Sequence, residues 1–134
     1  MRLFAKNTSI LSGEVDCPGD KSISQRAIII GALANQNISI TGFLNGEDPL
    51  STLSALNQIG ADISINNNEV TINERELTFS NPSNSIDLGN SGTGMRLIMG
   101  LIAGTGLKAT IIGDESLMKR PMSRVSIPLN EMGA

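Results

Sequence analysis

The sequence predicts an α/β fold in which helices alternate with short strands. Apolar residues recur at helical spacing in some segments and at alternate positions in others. The order of these segments repeats after about 70 residues, which indicates two copies of one supersecondary unit. The 134-residue chain has the length of about one domain. The core of the protein must be mostly aliphatic, because the chain contains only three Phe and no Trp or Tyr.

The first copy is predicted from apolar spacing and from residues that start or end helices. Asp48 and Pro49 have the types expected for an N-cap and a first helical residue, and Gly60 ends that helix. Asn67 lies in a turn where Asn tolerates positive φ. The predicted elements are helix 22–34, strand 37–42, helix 49–59, and hairpin strands 61–65 and 69–72.

The second copy follows the same order and stops early. Its predicted elements are strand 85–88, helix 92–103, strand 108–112 and helix 121–132. Gly133 and Ala134 correspond to Gly60 and Ala61, where the first copy begins its hairpin. We therefore expect an N-terminal fragment with a lead-in strand region over 1–18, a first unit over 19–83 and an incomplete second unit over 84–134.

Composition excludes several kinds of function. The chain has no His and one Cys, so it lacks the usual zinc ligands. For the same reason it can form neither a Ser–His–Asp triad nor a Cys–His pair. We expect no metal and no cofactor. A net charge of −3 and scarce aromatic residues argue against nucleic-acid binding. No apolar run is long enough to span a membrane or to form a signal peptide, so we expect a cytoplasmic protein.

The basic residues instead gather at helix starts, which indicates a site for small anions. Six of the ten basic residues lie beside Gly-rich or Pro-marked starts: Lys21, Arg26, Arg96, Lys119, Arg120 and Arg124. Free N–H groups and the helix dipole favour negative charge there. The alternative is ordinary solvated surface charge.

Lys21, Ser22 and Arg26 form the first candidate cluster. Arg26 lies one turn after Ser22, so both can contact one anionic group and a neighbouring hydroxyl. The alternative is that Ser22 or Ser24 caps the helix while the two cations are solvated.

Gly92, Thr93 and Arg120 form the second candidate cluster. Gly92 allows close backbone approach to a ligand, and Arg120 offers a guanidinium suited to carboxylate or phosphate. The alternatives are a turn glycine and surface charge. We expect the two clusters to face a common cleft, each with a buried arginine, Arg26 in one and Arg96 in the other.

Three ordered motifs resemble those of the enolpyruvyl transferase family, and the resemblance covers the whole chain. They are GDKSISQR at 19–26, GNSGTGMR at 89–96 and GDESLMKRPMSRV at 113–125. The resemblance implies repeated βαβαββ units, arranged as an inside-out α/β barrel that is truncated here. It also implies a cytoplasmic and monomeric full-length enzyme of the shikimate pathway to chorismate and aromatic amino acids.

The resemblance is strongest to the branch that transfers the carboxyvinyl group of phosphoenolpyruvate to the 5-hydroxyl of shikimate 3-phosphate. That reaction passes through a tetrahedral intermediate, releases phosphate and needs no metal. The implied shikimate 3-phosphate contacts are Lys21, Ser22 and Arg26, the implied phosphoenolpyruvate contacts are Lys21, Gly92 and Arg120, and the implied loop-shaping residues are Asn90, Thr93 and Arg96.

Two alternatives stay open. The sibling branch acting on UDP-N-acetylglucosamine has Lys-Asn where this chain has Lys21 and Ser22, and commonly a reactive Cys where this chain has Glu115. The other alternative is a non-catalytic anion-binding relative. Because the family's acid–base residues lie in parts absent here, we expect no catalytic residue in this chain and no turnover from it alone. Gly92 implies a glyphosate-sensitive parent enzyme.

Overall fold

Helices and strands alternate along the chain, as the sequence predicts for an α/β fold. The computed structural model describes residues 2–7, 10–75 and 78–134. The first unit contains α1 (Lys21–Ala34), β1 (Ile38–Ile40), α2 (Glu47–Gln58), β2 (Asp62–Asn66) and β3 (Glu69–Asn73). The second contains β4 (Ile86–Asp87), α3 (Gly92–Thr105), β5 (Ile111–Ile112), α4 (Glu115–Met118) and α5 (Ser123–Glu131).

The strands form two small sheets. β1, β3 and β2 lie side by side in that order and are antiparallel, with Ile38 opposite Ile72 and Ile63 opposite Ile72 on the other side. The β2–β3 turn is made with Asn67 at φ +54°, a conformation that Asn tolerates. β4 and β5 are parallel, with Ile86 opposite Ile111.

The core lies where α1, α2 and α3 meet the sheets, and it is almost wholly aliphatic. Its fully buried members include Ile28, Ala32, Leu56, Ile59, Val70, Ile86, Leu88, Ile98 and Leu117. Among the described residues, Phe43 is the one buried aromatic side chain of this core, and Phe79 packs against the core while partly buried. Phe43 follows β1, and its N–H donates to the carbonyl of Asn68 in the hairpin turn. Packing against shared neighbours, rather than helix propensity, therefore fixes how these helices lie.

α2 of the first unit and α5 of the second unit end in the same way. After α2, the Gly60 N–H donates to the Asn57 carbonyl and the Ala61 N–H to the Leu56 carbonyl, with Gly60 at φ +99°. After α5, Gly133 and Ala134 make the equivalent bonds to Asn130 and Leu129, with Gly133 at φ +96°. Both are Schellman motifs, in which glycine adopts the left-handed conformation. This geometry supports the correspondence that the sequence predicts.

Glycines also allow the starts of α1 and α3 to lie against the ends of strands. Gly19 and Gly42 meet at the start of α1, and Gly89 and Gly113 meet at the start of α3. A Cβ on Gly19 would lie 2.2 Å from the carbonyl oxygen of Gly42. A Cβ on Gly113 would lie 2.7 Å from the carbonyl oxygen of Gly89. Since backbone cannot move aside as a side chain can, these positions admit only glycine. The approach holds α1 and α3 close to the strands that precede α2 and α4.

Two helix starts differ from the prediction. α2 begins at Glu47 with Gly46 as N-cap, so Asp48 is not the cap. Pro49 is still tolerated, because the first-turn N–H groups of a helix have no partner within it. The sequence also missed α4, which Asp114 caps by accepting from the Leu117 N–H at 2.7 Å. α5 consequently begins at Ser123 rather than at 121.

The predicted lead-in strand is not formed in the described part of 1–18. Residues 2–7 and 10–18 belong to no strand, and side chains such as Phe4 and Val15 are exposed. Positions 1, 8 and 9 of this lead-in, and 76 and 77 of the first unit, lie outside the described residues. β1, β4 and β5 are shorter than predicted, because only two or three residues of each segment pair with a neighbouring strand.

We predict that Gly19→Ala lowers the free energy of unfolding by about 1–3 kcal/mol, the usual cost of overpacking. The added methyl would meet the backbone of Gly42 and, at 2.8 Å, the N atom of Leu44. Gly100→Ala is the control, because nothing lies within 4 Å of an added Cβ there and no left-handed conformation is required. Urea unfolding followed by circular dichroism measures both. Equal stabilities for the two variants would contradict the close approach.

Candidate functional site

The start of α1 carries the first candidate cluster. The Asp20 side chain caps this helix by accepting from the Ile23 N–H at 2.8 Å, so neither Ser22 nor Ser24 is the cap. Lys21 Nζ forms an ion pair with Asp48 Oδ2 at 2.8 Å. That pair anchors α1 to α2. Lys21 keeps half of its side chain exposed, so its ammonium has further donors for an anion.

The start of α3 carries the second cluster. This helix start is more buried than the start of α1. Ser91 is fully buried, and its Oγ accepts from the Gly94 N–H at 3.1 Å as the N-cap. Gly92 is buried and Thr93 is half-buried. The N–H of Thr93 has no hydrogen-bond partner within the described chain, as expected at a helix start. This N–H is the kind of donor that binds anions at a helix N-terminus.

A buried amide connects the two helix starts. Gln25 is 0% exposed, and its Nε2 donates to Ser91 Oγ at 2.8 Å and to Thr52 Oγ1 at 2.9 Å. It also lies 3.1 Å from the Asp48 carbonyl oxygen. The starts of α1, α2 and α3 therefore meet at one side chain. These contacts join the helix starts that carry the two clusters, and a common cleft for the clusters stays a prediction.

Gly92 faces two guanidinium groups. A Cβ built on Gly92 would lie 2.8 Å from Arg120 Nη1 and 3.4 Å from Arg96 Nη1. Arg96 Nη1 donates back to the Gly92 carbonyl at 3.4 Å, and its buried Nε has no partner in the described structure. Two cations thus converge on a position that carries no side chain. The absent Cβ lets the Arg120 guanidinium lie close to the backbone of the α3 start.

Asn90 and Asp114 hold Arg120 in place. Arg120 Nη2 donates to Asn90 Oδ1, and Asn90 Nδ2 donates to Asp114 Oδ2 at 2.6 Å. The hydrogen bond from Asn90, followed by that from the Leu117 N–H, lowers the pKa of Asp114 below its usual range. Asp114 is therefore charged at neutral pH, and it also caps α4, the helix that leads to Arg120.

Arg26 departs from the expectation of a buried arginine. It is exposed, and its Nη1 donates to the Ser22 carbonyl at 3.1 Å within its own helix. It lines a groove between α1 and α3 beside Leu97 and Leu101. Arg96 is half-buried. The reason is that both arginines lie one turn inside their helices and fold back over the helix start rather than into the core.

Three residues of this site were missed from the sequence: Gln25, Asp48 and Asp114. Gln25 could have been suspected, because it is polar on the face that also carries Ile28, Ile29 and Ala32. Asp114 precedes Leu117 by three residues, the spacing of an N-cap. The contact of Asp48 with Lys21 joins residues 27 positions apart, and no local pattern reveals it.

Two further observations bear on the kind of site. Within 2–7, 10–75 and 78–134, no group of three or more His, Cys, Asp or Glu side chains is arranged to hold a metal ion. No helix in these ranges has the length and apolar character needed to cross a membrane.

Comparison with known proteins shows the family. The model of the EPSP synthase family, 3-phosphoshikimate 1-carboxyvinyltransferase, matches residues 5–134. Proteins of that name from Shouchella clausii and Ruthia magnifica are 43% and 49% identical to the chain over 100% and 99% of its length. The chain therefore belongs to the EPSP synthase family.

Solved structures agree with this assignment. A 2.37 Å structure of EPSP synthase from Acinetobacter baumannii is 44% identical and superimposes on 91% of the chain with a TM-score of 0.84. The chain covers 28% of that protein and 31% of each of the two curated relatives. The expected α/β fold, as a partial segment of the enolpyruvyl transferase fold, is thus confirmed. The UDP-N-acetylglucosamine alternative gains no support from these relatives.

We predict that Asn90→Ala raises the pKa of Asp114 toward that of an ordinary carboxyl, because the Asn90 hydrogen bond is the largest cause of its lowering. A lowered pKa contributes stability above the ordinary carboxyl pKa, and this is lost as pH falls through the lowered value. Carboxyl-carbon NMR titration measures the midpoint. Asn84→Ala is the control, since Asn84 is exposed and lies in a separate groove. A midpoint unchanged by Asn90→Ala would contradict the contact.

Proposed function

We propose that this chain supplies the anion-binding half-site of a 3-phosphoshikimate 1-carboxyvinyltransferase. The reaction transfers the carboxyvinyl group of phosphoenolpyruvate to the 5-hydroxyl of shikimate 3-phosphate and releases phosphate. The observation that carries the proposal is the approach of two guanidinium groups, those of Arg120 and Arg96, to the start of α3 at Gly92. Family membership supports the identity of the substrates.

Phosphoenolpyruvate is proposed to bind beside Gly92, Arg120 and Lys21. It carries a phosphate and a carboxylate, and the planar guanidinium of Arg120 suits either group. Asn90 supports this role, because its Oδ1 accepts from Arg120 while its Nδ2 donates to Asp114. Thr93 and Arg96 are proposed to shape the loop rather than to react, since Arg96 is bonded to the backbone of its own helix start.

Shikimate 3-phosphate is proposed to bind at the start of α1, where Lys21, Ser22 and Arg26 lie. Ser22 is half-buried, and no hydrogen bond of its hydroxyl is seen in the described chain. Arg26 is exposed and carries no acidic partner in the described residues. Both are therefore available to a phosphate, while the Lys21–Asp48 pair keeps the ammonium near them.

The chemical task of these groups is electrostatic. Lys21, Arg26 and Arg120 would neutralise the phosphates and carboxylate, hold the 5-hydroxyl close to the vinyl carbon, and stabilise charge in the tetrahedral intermediate. No group here is proposed as the catalytic acid or base. We propose that the chain alone has no turnover. We propose that the full-length enzyme is a cytoplasmic monomer that needs neither metal nor nucleic acid. Because of Gly92, we propose that the full-length enzyme is sensitive to glyphosate.

The affinity of the chain alone should be modest. A charge-assisted hydrogen bond contributes about 1.5–3 kcal/mol, and two or three of them must offset several kcal/mol of association cost. About millimolar affinity or weaker is expected for shikimate 3-phosphate, since 1 mM corresponds to about 4 kcal/mol.

We predict that Gly92→Ala abolishes most of the response to phosphoenolpyruvate and preserves the response to shikimate 3-phosphate. The methyl would lie 2.8 Å from Arg120 Nη1, so it displaces the guanidinium that is proposed to hold phosphoenolpyruvate. NMR titration of the isotope-labelled chain with each compound follows the amides near Lys21 and Arg120. Gly100→Ala, in the same helix and with open space at its Cβ, is the matched control.

An unchanged phosphoenolpyruvate titration in Gly92→Ala would contradict this assignment. If shikimate 3-phosphate changed only the signals of residues outside α1, the proposed shikimate 3-phosphate site at the start of α1 would be contradicted. Inorganic phosphate is titrated alongside, and a response identical to those of both substrates would reduce the site to unspecific anion binding. Phosphate release at family-like rates from the chain with both substrates would contradict the absence of turnover.

A further inference from the structure

Asp114 lies at the junction of two loops, one before α3 and one before α4. Its backbone N–H donates to the Gly89 carbonyl at 2.8 Å, and its Oδ1 accepts from the Leu117 N–H at 2.7 Å. These two bonds fix the place of the residue and leave the second carboxylate oxygen for another donor. That donor is Asn90 Nδ2, which lies 2.6 Å from Asp114 Oδ2.

The junction is well defined because both loops leave paired strands. β4 and β5 are parallel, and the Leu88 N–H donates to the Ile112 carbonyl at 3.0 Å at the end of the pair. A Cβ on Gly113 would lie 2.7 Å from the Gly89 carbonyl oxygen, so the two loops are in backbone contact. The Asp114 carboxylate therefore has a fixed place from which it can orient a neighbouring side chain.

The chemistry of Asp114, Asn90 and Arg120 allows one order of donors and acceptors. The hydrogen bond from Asn90 is the largest cause of the lowered pKa of Asp114, so at neutral pH this carboxylate is ionised and only accepts hydrogen bonds. The guanidinium of Arg120 only donates. The amide between them has one end of each kind. Its NH2 group therefore faces Asp114 and its oxygen faces Arg120.

Without Asp114 the Asn90 amide would have no such preference. Asn90 is exposed, so either end of its side chain can bond to water. If the amide turned over, its NH2 group would face Arg120 Nη2, and two donors would oppose each other. Asp114 thus decides which end of the amide Arg120 meets.

The orientation of the amide matters because Asn90 holds only one of the terminal nitrogens of Arg120. Nη2 donates to Asn90 Oδ1, whereas Nη1 lies beside Gly92, where an added Cβ would be 2.8 Å away. Holding Nη2 keeps Nη1 directed toward the α3 start. A guanidinium that is already held in this way loses less freedom when it binds an anion.

We propose that Asp114 is a positioning residue for phosphoenolpyruvate, because it turns the Asn90 amide so that the amide oxygen holds Arg120. This inference rests on the proposed function for the identity of the anion, but not for the geometry of the three side chains. By its charge alone, a carboxylate near an anion site weakens binding, so its removal would strengthen binding. A positioning carboxylate has the opposite effect.

The test compares Asp114→Ser with Glu115→Gln. Serine keeps the cap of α4, because its hydroxyl serves as an N-cap as well as aspartate does, but it has no second oxygen for Asn90. Glu115→Gln removes the same charge from the next residue, which pairs with Lys119. In NMR titrations with phosphoenolpyruvate we expect affinity to fall about threefold to tenfold in Asp114→Ser, as the loss of a solvated charge-assisted bond predicts. Glu115→Gln should lose no affinity.

Asn90→Ala shows whether Asp114 acts through the amide. In the Asn90→Ala background, the further change Asp114→Ser should no longer weaken binding. Because the same charge is removed in both backgrounds, the comparison cancels the effect of charge. Equal effects of Asp114→Ser in the two backgrounds would overturn the proposal.

A second measurement needs no ligand. We expect Asp114→Ser to increase the motion of the Arg120 side chain, measured by nitrogen relaxation at Nε, and to shift the NMR signal of the Asn90 NH2 group toward that of a hydrated amide. Glu115→Gln should change neither, and protection of the Leu117 amide reports that α4 is still capped. Signals that stay as in the parent would overturn the proposal. If they change but phosphoenolpyruvate does not bind the parent, the positioning of Arg120 is supported and the proposed function is contradicted.

Discussion

The hydrogen bonds of the Gln25 amide are the interaction on which the rest of the site depends. Gln25 belongs to α1, yet its Nε2 reaches Thr52 in α2 and Ser91 at the start of α3. The amide is uncharged, so it joins these helices in the core without the desolvation cost of a buried ion. The bonds of Nε2 favour this arrangement, because a shift would leave Nε2 without a partner, as Oε1 of the same amide already is in the described structure.

Gly94 makes this meeting point sterically possible. A Cβ there would lie 2.7 Å from both Ser91 Oγ and Thr52 Oγ1, so a larger residue would separate the three helices. The consequence reaches the function. Because Gln25 holds Ser91, the start of α3, which includes Gly92, has a defined position relative to the start of α1.

Local signals were sufficient for much of the fold. Apolar spacing located the long helices, and Gly60 and Gly133 marked helix ends because their left-handed conformation requires glycine. The start of α2 was misplaced, since the carboxylate of Asp48 serves Lys21 rather than its own helix. The short α4 was missed because four residues contain too little periodicity to detect.

The site was predictable only in its residue types. The motifs indicated which cations bind anions, but their partners come from distant parts of the chain: Asn90 from before α3 for Arg120, and Asp48 from α2 for Lys21. Burial was the least predictable property. Arg26 and Arg96 occupy equivalent positions in the repeat, yet one is exposed and the other half-buried. Their neighbours differ, since Arg26 lines the groove between α1 and α3, whereas Arg96 lies with Arg120 beside Gly92.

A double-mutant cycle of Gln25→Leu and Ser91→Ala tests most directly that one amide holds the two helix starts together. Each single change carries its own cost, including the loss of the α3 cap, and the cycle removes those costs. We expect a coupling free energy of about 1 kcal/mol or more from urea unfolding. The control cycle of Gln25→Leu with Ser39→Ala, whose hydroxyl bonds to Glu69, should be additive within about 0.5 kcal/mol. Additivity of Gln25→Leu and Ser91→Ala would contradict the account.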